Sequence, residues 1–442
     1  MVRKMRRKFW KKLDDWSNNN EKMPLMVIGA RQVGKTYIIE QFCKEKYKNY
    51  CYINLFEDTR LIDWFKEMAT FDKKLETLES TYHINLNDKD TILFVDEVQE
   101  SEHFIEALKI FCERGYSNII CAGSLLGIKL KHFTKSYPVG KLNEEYLYPM
   151  DFEEYLWAIG KDNYIDIIKR CFQNNEECLL HQDLMDEYYR FTYLGGMPKV
   201  IQNYISHEQK FSLIDSTIIK DIINQYIADM KKYVESNAES IRIGRIYKNI
   251  PSSLVKENKK FVYAKIDSKD NRKRDYITAL DWLVSSYLVL PCYAITKSEY
   301  PVLGYLDDET YKLFLSDTGI LSNMVGISAT DILTNGDYSF KGVLAENYVA
   351  TELIKQEFSL LYWSKKNDNS GQAEVDFVIQ KDNRVIPIEV KAGTDMLSKS
   401  LLVYNEIFKP QIMVKICAKN FGMKDNLKTI PLYATFLLKE LL

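Results

Sequence analysis

The sequence predicts an α/β fold built on a parallel sheet, and three observations carry that prediction. Short apolar runs recur at 25–28, 92–95 and 119–122, and each ends at a small or acidic residue. The stretches between the runs have mostly helical spacing. A glycine-rich loop directly follows the first run. Short, fully apolar strands that alternate with helices are typical of a parallel sheet covered on both faces.

The glycine-rich loop reads GARQVGKT and matches the G-x-x-x-x-G-K-[ST] phosphate loop between a strand and a helix. Its two glycines allow a tight turn that points backbone N–H groups at phosphate oxygens, and the helix dipole favours an anion there. Lys35 is expected to reach the β- and γ-phosphates, and Thr36 to ligate Mg²⁺. The predicted ATP-binding residues are Gly29, Ala30, Arg31, Gln32, Val33, Gly34, Lys35 and Thr36.

The apolar run at 92–95 is followed by Asp96 and Glu97, which is a Walker B pattern. A carboxylate fits at the carboxyl end of a buried strand, where the sheet opens onto the ligand crevice. We expect Asp96 to hold Mg²⁺ and Glu97 to polarise the attacking water. The predicted catalytic residues are Glu97, Lys35 and Ser124. Ser124 ends the next run and is placed to contact the γ-phosphate or the water, although many strands end in Gly-Ser.

Composition narrows the class of protein. There are 60 Lys and Arg against 62 Asp and Glu, a net charge of −2, so no global field attracts nucleic acid or anionic lipid. The eight cysteines have no metal-binding spacing, which predicts reduced core residues in a cytoplasmic protein. No apolar run is long enough to span a bilayer, so we expect no membrane partner. The basic N-terminus is predicted to form an amphipathic helix through Phe9, Trp10, Leu13 and Trp16.

The ordered segments GARQVGKT, LFVDEVQ, AGSLLG and YPVGKLNEEYLYPMDFEEYL resemble the AAA+-related predicted ATPases of bacteria and archaea, and the resemblance covers nearly the whole chain. It implies the additional-strand, catalytic-Glu type of P-loop domain over residues 1–160, and a C-terminal domain of unknown function. Family members often carry arginine where this chain has Lys141, so the resemblance does not extend an arginine-finger role to that position.

The middle region, 161–325, has two notable patterns. Gly195, Gly196 and Pro198 form a turn signal, and the family resemblance implies that Pro198 approaches the nucleotide, with Arg190 nearby; a plain interhelical turn is the alternative. Helices predicted at 241–250, 251–258 and 274–287, then strands at 289–296 and 311–315, suggest a winged helix. Its basic residues suit DNA phosphates or a solvated face. They are Lys256, Lys259, Lys260, Lys265, Lys269, Arg272, Lys273 and Arg274.

The C-terminal region, 326–442, is predicted as a helix, three strands, a helix and a strand. Strands at 373–380 and 384–391 alternate, which places Glu389 and Lys391 on one face. This resembles the restriction-endonuclease-like core with its Asp…Glu-x-Lys pattern. The resemblance implies that Asp376 and Glu389 share a divalent metal, that Lys391 stabilises charge, and that Glu346 adds an oxygen. A vestigial site in which these acids form salt bridges with Lys391 is the alternative.

The sequence leaves two functions open. The first is a Mg²⁺-dependent ATPase that couples ATP hydrolysis to DNA binding or processing. The second is a nucleotide-gated switch or scaffold with a protein partner and a vestigial nuclease fold. Either is compatible with a homo-oligomer.

Overall fold

The computed structural model describes residues 5–67, 69–124, 138–232, 234, 236–256, 259–261, 273–333, 340–367, 371–394 and 398–441. The chain forms two compact units. We call residues 6–148 with 285–287 the N-terminal unit, and residues 1–5, 149–284 and 288–442 the C-terminal unit. No helix among the described residues has the length and apolar character needed to cross a membrane.

The N-terminal unit is a five-stranded parallel sheet in the order β2-β3-β4-β1-β5, with helices in the connections. Its strands are β1 (Leu25–Ile28), β2 (Asn49–Asn54), β3 (Thr91–Asp96), β4 (Ile119–Gly123) and β5 (Asn143–Tyr146). Its helices are α1 (Phe9–Asn18), α2 (Lys35–Lys46), α3 (Arg60–Lys66), α4 (Phe71–Tyr82) and α5 (Glu102–Glu113), with a 3₁₀ turn at Val98–Glu100. The predicted α/β class with a parallel sheet is therefore confirmed. β4 lies between the strand before the glycine loop and the strand that ends in Asp96, as the additional-strand arrangement requires.

The core of this unit follows from the apolar runs. β1, β3 and β4 are buried along their whole length, because helices cover both faces of the sheet. The predicted N-terminal helix is present as α1 and buries Phe9, Leu13 and Trp16. Trp10 packs edge-to-face on Phe42 of α2, at a centroid distance of 5.4 Å. Cys112 is half-buried and the other cysteines are buried, all with free thiols, as predicted.

The C-terminal unit combines helices with two sheets. Its helices are α6 (Phe152–Ala158), α7 (Asp162–Asn174), α8 (His181–Leu194), α9 (Pro198–Ser206), α10 (Thr217–Lys232), α11 (Asn237–Leu254), α12 (Lys273–Ser285), α13 (Thr318–Met324), α14 (Ala329–Leu333), α15 (Lys341–Lys355) and α16 (Lys399–Phe408). 3₁₀ segments occur at Phe211–Leu213, Val302–Tyr305 and Leu432–Glu440.

The strands of this unit form one sheet in the order β7-β6-β8-β9 and another in the order β10-β11-β12-β14-β13. They are β6 (Val289–Ile295), β7 (Leu306–Leu315), β8 (Leu361–Asn367), β9 (Gly371–Val375), β10 (Phe377–Lys381), β11 (Arg384–Val390), β12 (Met413–Cys417), β13 (Gly422–Lys424) and β14 (Leu427–Pro431). The first sheet joins strands from both sides of residue 325, since β6 pairs with β8 in parallel. The domain limits 1–160, 161–325 and 326–442 stay a prediction.

The winged helix is not confirmed. The separate helices predicted at 241–250 and 251–258 are wrong, because α11 continues through Pro251 to Leu254. Pro251 lacks an N–H and suggested a helix start, but buried Ile246, Ile250 and Leu254 extend one apolar face past it. The predicted strand pair is present as antiparallel β6 and β7. Of the predicted basic residues, Lys265, Lys269 and Arg272 lie outside the described residues.

The single strand predicted at 373–380 is also wrong. The chain breaks at Asp376, so β9 pairs with β8 in one sheet and β10 pairs with β11 in the other. The observed order after α15 is four strands, α16 and three more strands. Alternation in the sequence could not show the break, because residues 375 and 377–379 are all buried on either side of it.

Candidate functional site

The glycine loop connects β1 to α2 and is closely packed against backbone. A Cβ on Gly29 would lie 2.2 Å from the carbonyl oxygen of Leu147, so a side chain at this position would collide with fixed backbone. Gln32 and Gly34 have left-handed backbone conformations, with φ of 68° and 93°. Gly34 immediately precedes α2, so the loop ends at the helix N-terminus. This is the strand, loop and helix geometry that exposes N–H groups to an anion.

Lys35 is buried in the loop with only 7% of its surface exposed. Its ammonium donates to the carbonyl oxygens of Gly29 and Ala30, each at 2.8 Å. Burial lowers the pKa of Lys35 to about 8, against the opposing attraction of Glu97 and Asp96. A buried cation bonded to neutral carbonyls is stabilised by any anion that enters the loop.

Thr36 and Asp96, which the sequence predicts as Mg²⁺ ligands, lie together. The Thr36 hydroxyl donates to Asp96 Oδ2 at 2.6 Å, and Asp96 Oδ1 accepts from the Glu97 N–H at 2.9 Å. Burial raises the pKa of Asp96. A hydroxyl and a carboxylate are hard oxygen ligands, and a cation would relieve the buried charge, so these residues fit Mg²⁺.

Glu97 follows Asp96 in a left-handed conformation, with φ of 53°. Its Oε2 accepts from Ser124 Oγ at 3.5 Å and from the side-chain amide of Gln99. The structure therefore brings Glu97, Ser124, Asp96 and Thr36 to the end of the sheet next to the loop. A carboxylate held by two neighbouring donors is positioned to orient a water molecule and accept its proton.

Three residues at this site were missed by the sequence analysis. Arg7 contacts the loop, Tyr52 donates from its hydroxyl to Asp96 Oδ2 at 3.4 Å, and Gln99 bonds to Glu97. The fully buried amide of Gln99 belongs to the LFVDEVQ segment, so its position two residues after Glu97 was a usable signal. Arg7 and Tyr52 come from other parts of the chain and left no local pattern.

Lys141 and Arg190, the two cations considered for a phosphate contact, each have an acidic neighbour. Lys141 Nζ lies 3.7 Å from Glu113 Oε1 in the N-terminal unit. Arg190 pairs with Glu187 one turn earlier on α8 in the C-terminal unit. A nucleotide contact by either residue stays a prediction.

The Gly-Gly-x-Pro turn is built around a buried aspartate. Asp317 Oδ2 accepts from the Gly196 N–H at 2.6 Å, and Oδ1 accepts from the Ile320 N–H at the start of α13. A Cβ on Gly195, whose φ is 73°, would lie 2.2 Å from Asp317 Oδ1. Pro198 begins α9. These contacts explain the glycines by packing within the C-terminal unit, and nucleotide binding by Pro198 stays a prediction.

The predicted C-terminal site residues lie near one another and interact through their charges. Asp376 lies at the strand break, and its Oδ2 accepts from the Val390 N–H at 2.8 Å. Burial, followed by the nearby charge of Asp376, raises the pKa of Glu346 and raises that of Glu389 to about 7. Glu389 Oε1 pairs with Lys391 Nζ at 2.7 Å. These four residues therefore lie close enough to affect one another's charge, and their convergence within metal-bridging distance stays a prediction.

Two further lysines join them from the segment before residue 326. Lys259 pairs with Glu346, and the fully buried Lys312 of β7 lies 2.5 Å from Glu374 Oε1. Burial alone would lower the pKa of Lys312, but Glu374, Glu346 and Asp376 together hold it above its ordinary value. We call the whole set the carboxylate–lysine cluster. Its members are Glu346, Glu374, Asp376, Glu389, Lys259, Lys312 and Lys391.

The cluster does not fit the metal that its resemblance implied. Among the described residues, no group of three or more His, Cys, Asp or Glu side chains is arranged to hold a metal ion. Glu346 and Glu389 are each paired with a lysine, and Lys312 brings its ammonium among the carboxylates. Metal binding by Asp376 and Glu389 stays a prediction that these ion pairs do not favour.

Family models match three parts of the chain. Residues 21–156 match an AAA domain, residues 185–331 match a domain of unknown function (DUF8612), and residues 341–435 match another (DUF4143). The chain thus carries an AAA-type P-loop ATPase-like domain followed by a C-terminal domain of unknown function, as the sequence resemblance indicated.

Among curated relatives, the uncharacterized protein MJ1544 of Methanocaldococcus jannaschii is 26% identical over 81% of this chain and 72% of its own length. The uncharacterized protein MJ1637 of the same organism is 22% identical over a segment that covers 48% of this chain and 46% of that relative. Similar solved structures include the Walker-type ATPase PABY2304 of Pyrococcus abyssi, with 16% identity, TM-score 0.46, and coverage of 73% of this chain and 96% of that one. The Aeropyrum pernix ORC2 protein in complexes with ADPNP and ADP has 11% identity, TM-score 0.37, and coverage of 76% and 96%.

Proposed function

We propose that the AAA domain of this protein binds ATP with Mg²⁺ and hydrolyses it. The observation that carries the proposal is the state of Lys35. Its ammonium is buried, its hydrogen bonds go to two neutral carbonyls, and burial lowers its pKa to about 8. A site that places a destabilised cation at a helix N-terminus gains free energy when phosphate enters.

Each of the other residues has a distinct part in this proposal. The backbone N–H groups of the glycine loop bind phosphate oxygens, and Lys35 leaves the carbonyls of Gly29 and Ala30 for the β- and γ-phosphates. Thr36 and Asp96 would hold Mg²⁺, which supplies charge neutralisation at the phosphates when it is bound.

Hydrolysis is assigned to Glu97. Its carboxylate orients a water molecule and accepts its proton, and the donors Gln99 and Ser124 hold that carboxylate in place. Ser124 already contacts Glu97. We infer that it also contacts the γ-phosphate, which would place the serine between the nucleotide and the catalytic base.

The variant Glu97→Gln separates binding from hydrolysis. Its amide cannot accept a proton, so we expect binding of Mg·ATP near the wild-type affinity and a loss of turnover of about 10²–10⁴-fold. Equilibrium binding and phosphate release are measured on the same preparation. Wild-type turnover in Glu97→Gln would reject Glu97 as the base, and a wild-type protein that binds no nucleotide would reject the proposal.

A second candidate function concerns the C-terminal domain. We propose that the carboxylate–lysine cluster is a structural ion-pair network, as expected for a switch or scaffold with a vestigial nuclease fold. What supports this is the presence of Lys259 and Lys312, which lie before residue 326 in the sequence and pair with carboxylates that lie after it. A nuclease site would keep such carboxylates available for a metal ion.

Coupling of ATP hydrolysis to DNA is the competing version of this function. Lys259, one of the basic residues predicted to meet either DNA phosphates or solvent, is paired with Glu346. ATP turnover measured with single-stranded, duplex and branched DNA distinguishes the two versions. Strong stimulation by one form favours DNA coupling, and unchanged turnover with all three favours the switch or scaffold.

A further inference from the structure

Arg7 is a buried side chain that reaches the glycine loop from outside it. Only 7% of its surface is exposed. Its Nη1 donates to the carbonyl oxygen of Val33 at 2.8 Å, and its Nη2 donates to the carbonyl oxygen of Tyr148 at 2.7 Å. One guanidinium therefore connects the loop to the segment that follows β5.

The Val33 carbonyl belongs to the peptide unit whose N–H is that of Gly34. In a trans peptide the C=O and N–H point in opposite directions. When Arg7 holds the carbonyl on one side, the Gly34 N–H is directed to the other side, where the loop receives phosphate. Gly34 adopts φ of 93°, so this peptide could rotate more freely than one flanked by two ordinary residues.

The second hydrogen bond of Arg7 fixes the other wall of the loop. Leu147, the neighbour of Tyr148, donates its N–H to the carbonyl oxygen of Ile28 at 2.8 Å, and its own carbonyl oxygen packs against Gly29. Arg7 thus holds the loop near both of its glycines at once. A planar fork with several donors can do this, whereas an ammonium is a point donor on a flexible stem.

We propose that Arg7 is a positioning residue for nucleotide binding, which sets the Val33–Gly34 peptide so that its N–H faces the phosphates. Its fixed positive charge adds to the attraction of the site for a polyphosphate. The proposal rests on the proposed ATP-binding function and adds a residue outside the GARQVGKT motif to it.

The test compares Arg7→Met, Arg7→Lys and the control Lys11→Met, which removes an exposed cation from the same basic segment. Affinities for Mg·ADP and for Mg²⁺ with a non-hydrolysable ATP analogue are measured by calorimetry. Far-UV circular dichroism first defines a temperature at which every variant is folded, so lost affinity is not lost fold. Steady-state turnover then gives kcat and KM separately.

We expect Arg7→Met to weaken both nucleotides by about tenfold, the loss of roughly one charge-assisted hydrogen bond. KM should rise by more than kcat falls, because the residue orients a binding group and does not touch the reacting atoms. Arg7→Lys should recover part of the affinity, since it keeps the charge and one donor. Lys11→Met should bind like the wild type.

Wild-type affinity in Arg7→Met overturns the inference alone, provided that the wild-type protein binds nucleotide. An equal loss in Lys11→Met and Arg7→Met also overturns it, because the effect would then be general charge. If the wild-type protein binds neither nucleotide, the proposed function fails and the inference fails with it. If Arg7→Met does not fold, the test uses Arg7→Lys instead. Wild-type affinity in Arg7→Lys would then overturn the inference, because it would show that the two-donor guanidinium is not needed to position the loop.

Discussion

The two units each bury a lysine, and the two lysines have opposite electrostatic surroundings. Lys35 bonds to backbone carbonyls, and burial lowers its pKa to about 8. Lys312 is more deeply buried, yet the carboxylates of Glu374, Glu346 and Asp376 overcome the effect of burial and keep its pKa above the ordinary value. Burial alone therefore does not distinguish a binding site from a structural ion pair.

What distinguishes the two sites is whether the carboxylates of the protein outweigh the effect of burial on the lysine. The hydrogen-bond partners of Lys35 are neutral, and the attraction of Glu97 and Asp96 does not offset its burial, so an incoming phosphate gives the missing compensation. Around Lys312 the opposite charge comes from carboxylates of the protein itself, so an external anion must displace an existing ion pair. We therefore propose that the first site binds an anion and that the second stabilises the fold.

The largest effect is expected at the first lysine. Lys35→Ala removes the ammonium that we propose binds the β- and γ-phosphates, so affinity for Mg·ATP should fall by at least about a hundredfold. The unfolding free energy without nucleotide should not fall, because the wild-type ammonium is itself destabilised by burial. Calorimetry and denaturant unfolding give the two quantities, and unchanged affinity would reject the assignment of the loop.

The second lysine should give the reverse pattern. Lys312→Met leaves Glu374 and its neighbours without their buried cation, so unfolding free energy should fall by about 3–5 kcal/mol. Nucleotide affinity of the folded protein should not change. The double variant Lys312→Met with Glu374→Gln should recover part of the stability, because it removes one of the uncompensated charges. Equal destabilisation in the single and double variants would show that the ion pair is not the cause.

A smaller effect is the pH dependence of nucleotide binding. In the free protein Lys35 loses its proton above a pH of about 8. In the complex the negative charge of the phosphates should keep Lys35 protonated at higher pH. The complex then binds more protons than the free protein, so affinity should fall as pH rises above 8, by up to about tenfold per pH unit. Calorimetry in buffers of different ionisation enthalpy should detect proton uptake at about pH 9 and none at about pH 7. Lys35→Met should lack this uptake, and a pH-independent wild-type affinity would contradict the low pKa.

Sequence reasoning succeeded where chemistry is local and failed where it depends on distant contacts. Gly29, Lys35, Thr36 and Asp96 belong to short motifs whose spacing predicts their roles, and the structure brings them together. Arg7 lies 141 residues from Tyr148, and such a contact leaves no periodic pattern in the sequence.

The C-terminal site shows the same limit. The pairing of Glu389 with Lys391 followed from their spacing of two in a strand, and this contact is present. Lys312 approaches Glu374 from another strand of the sheet, so only the fold reveals that the cluster has a buried cation. The strand break at Asp376 was hidden because Val375 and residues 377–379 are buried on both sides of it, so the pattern does not mark a change of sheet.

The difference between the two sites is tested most directly by counting bound Mn²⁺ with electron paramagnetic resonance, in the presence and absence of a non-hydrolysable ATP analogue. We predict a single tightly bound Mn²⁺ per chain that requires the nucleotide, is lost in Asp96→Asn, and is unaffected by Asp376→Asn. Nucleotide-independent Mn²⁺ binding that disappears in Asp376→Asn would show that the carboxylate–lysine cluster is a metal site, and would contradict the assignment of its lysines to structural ion pairs.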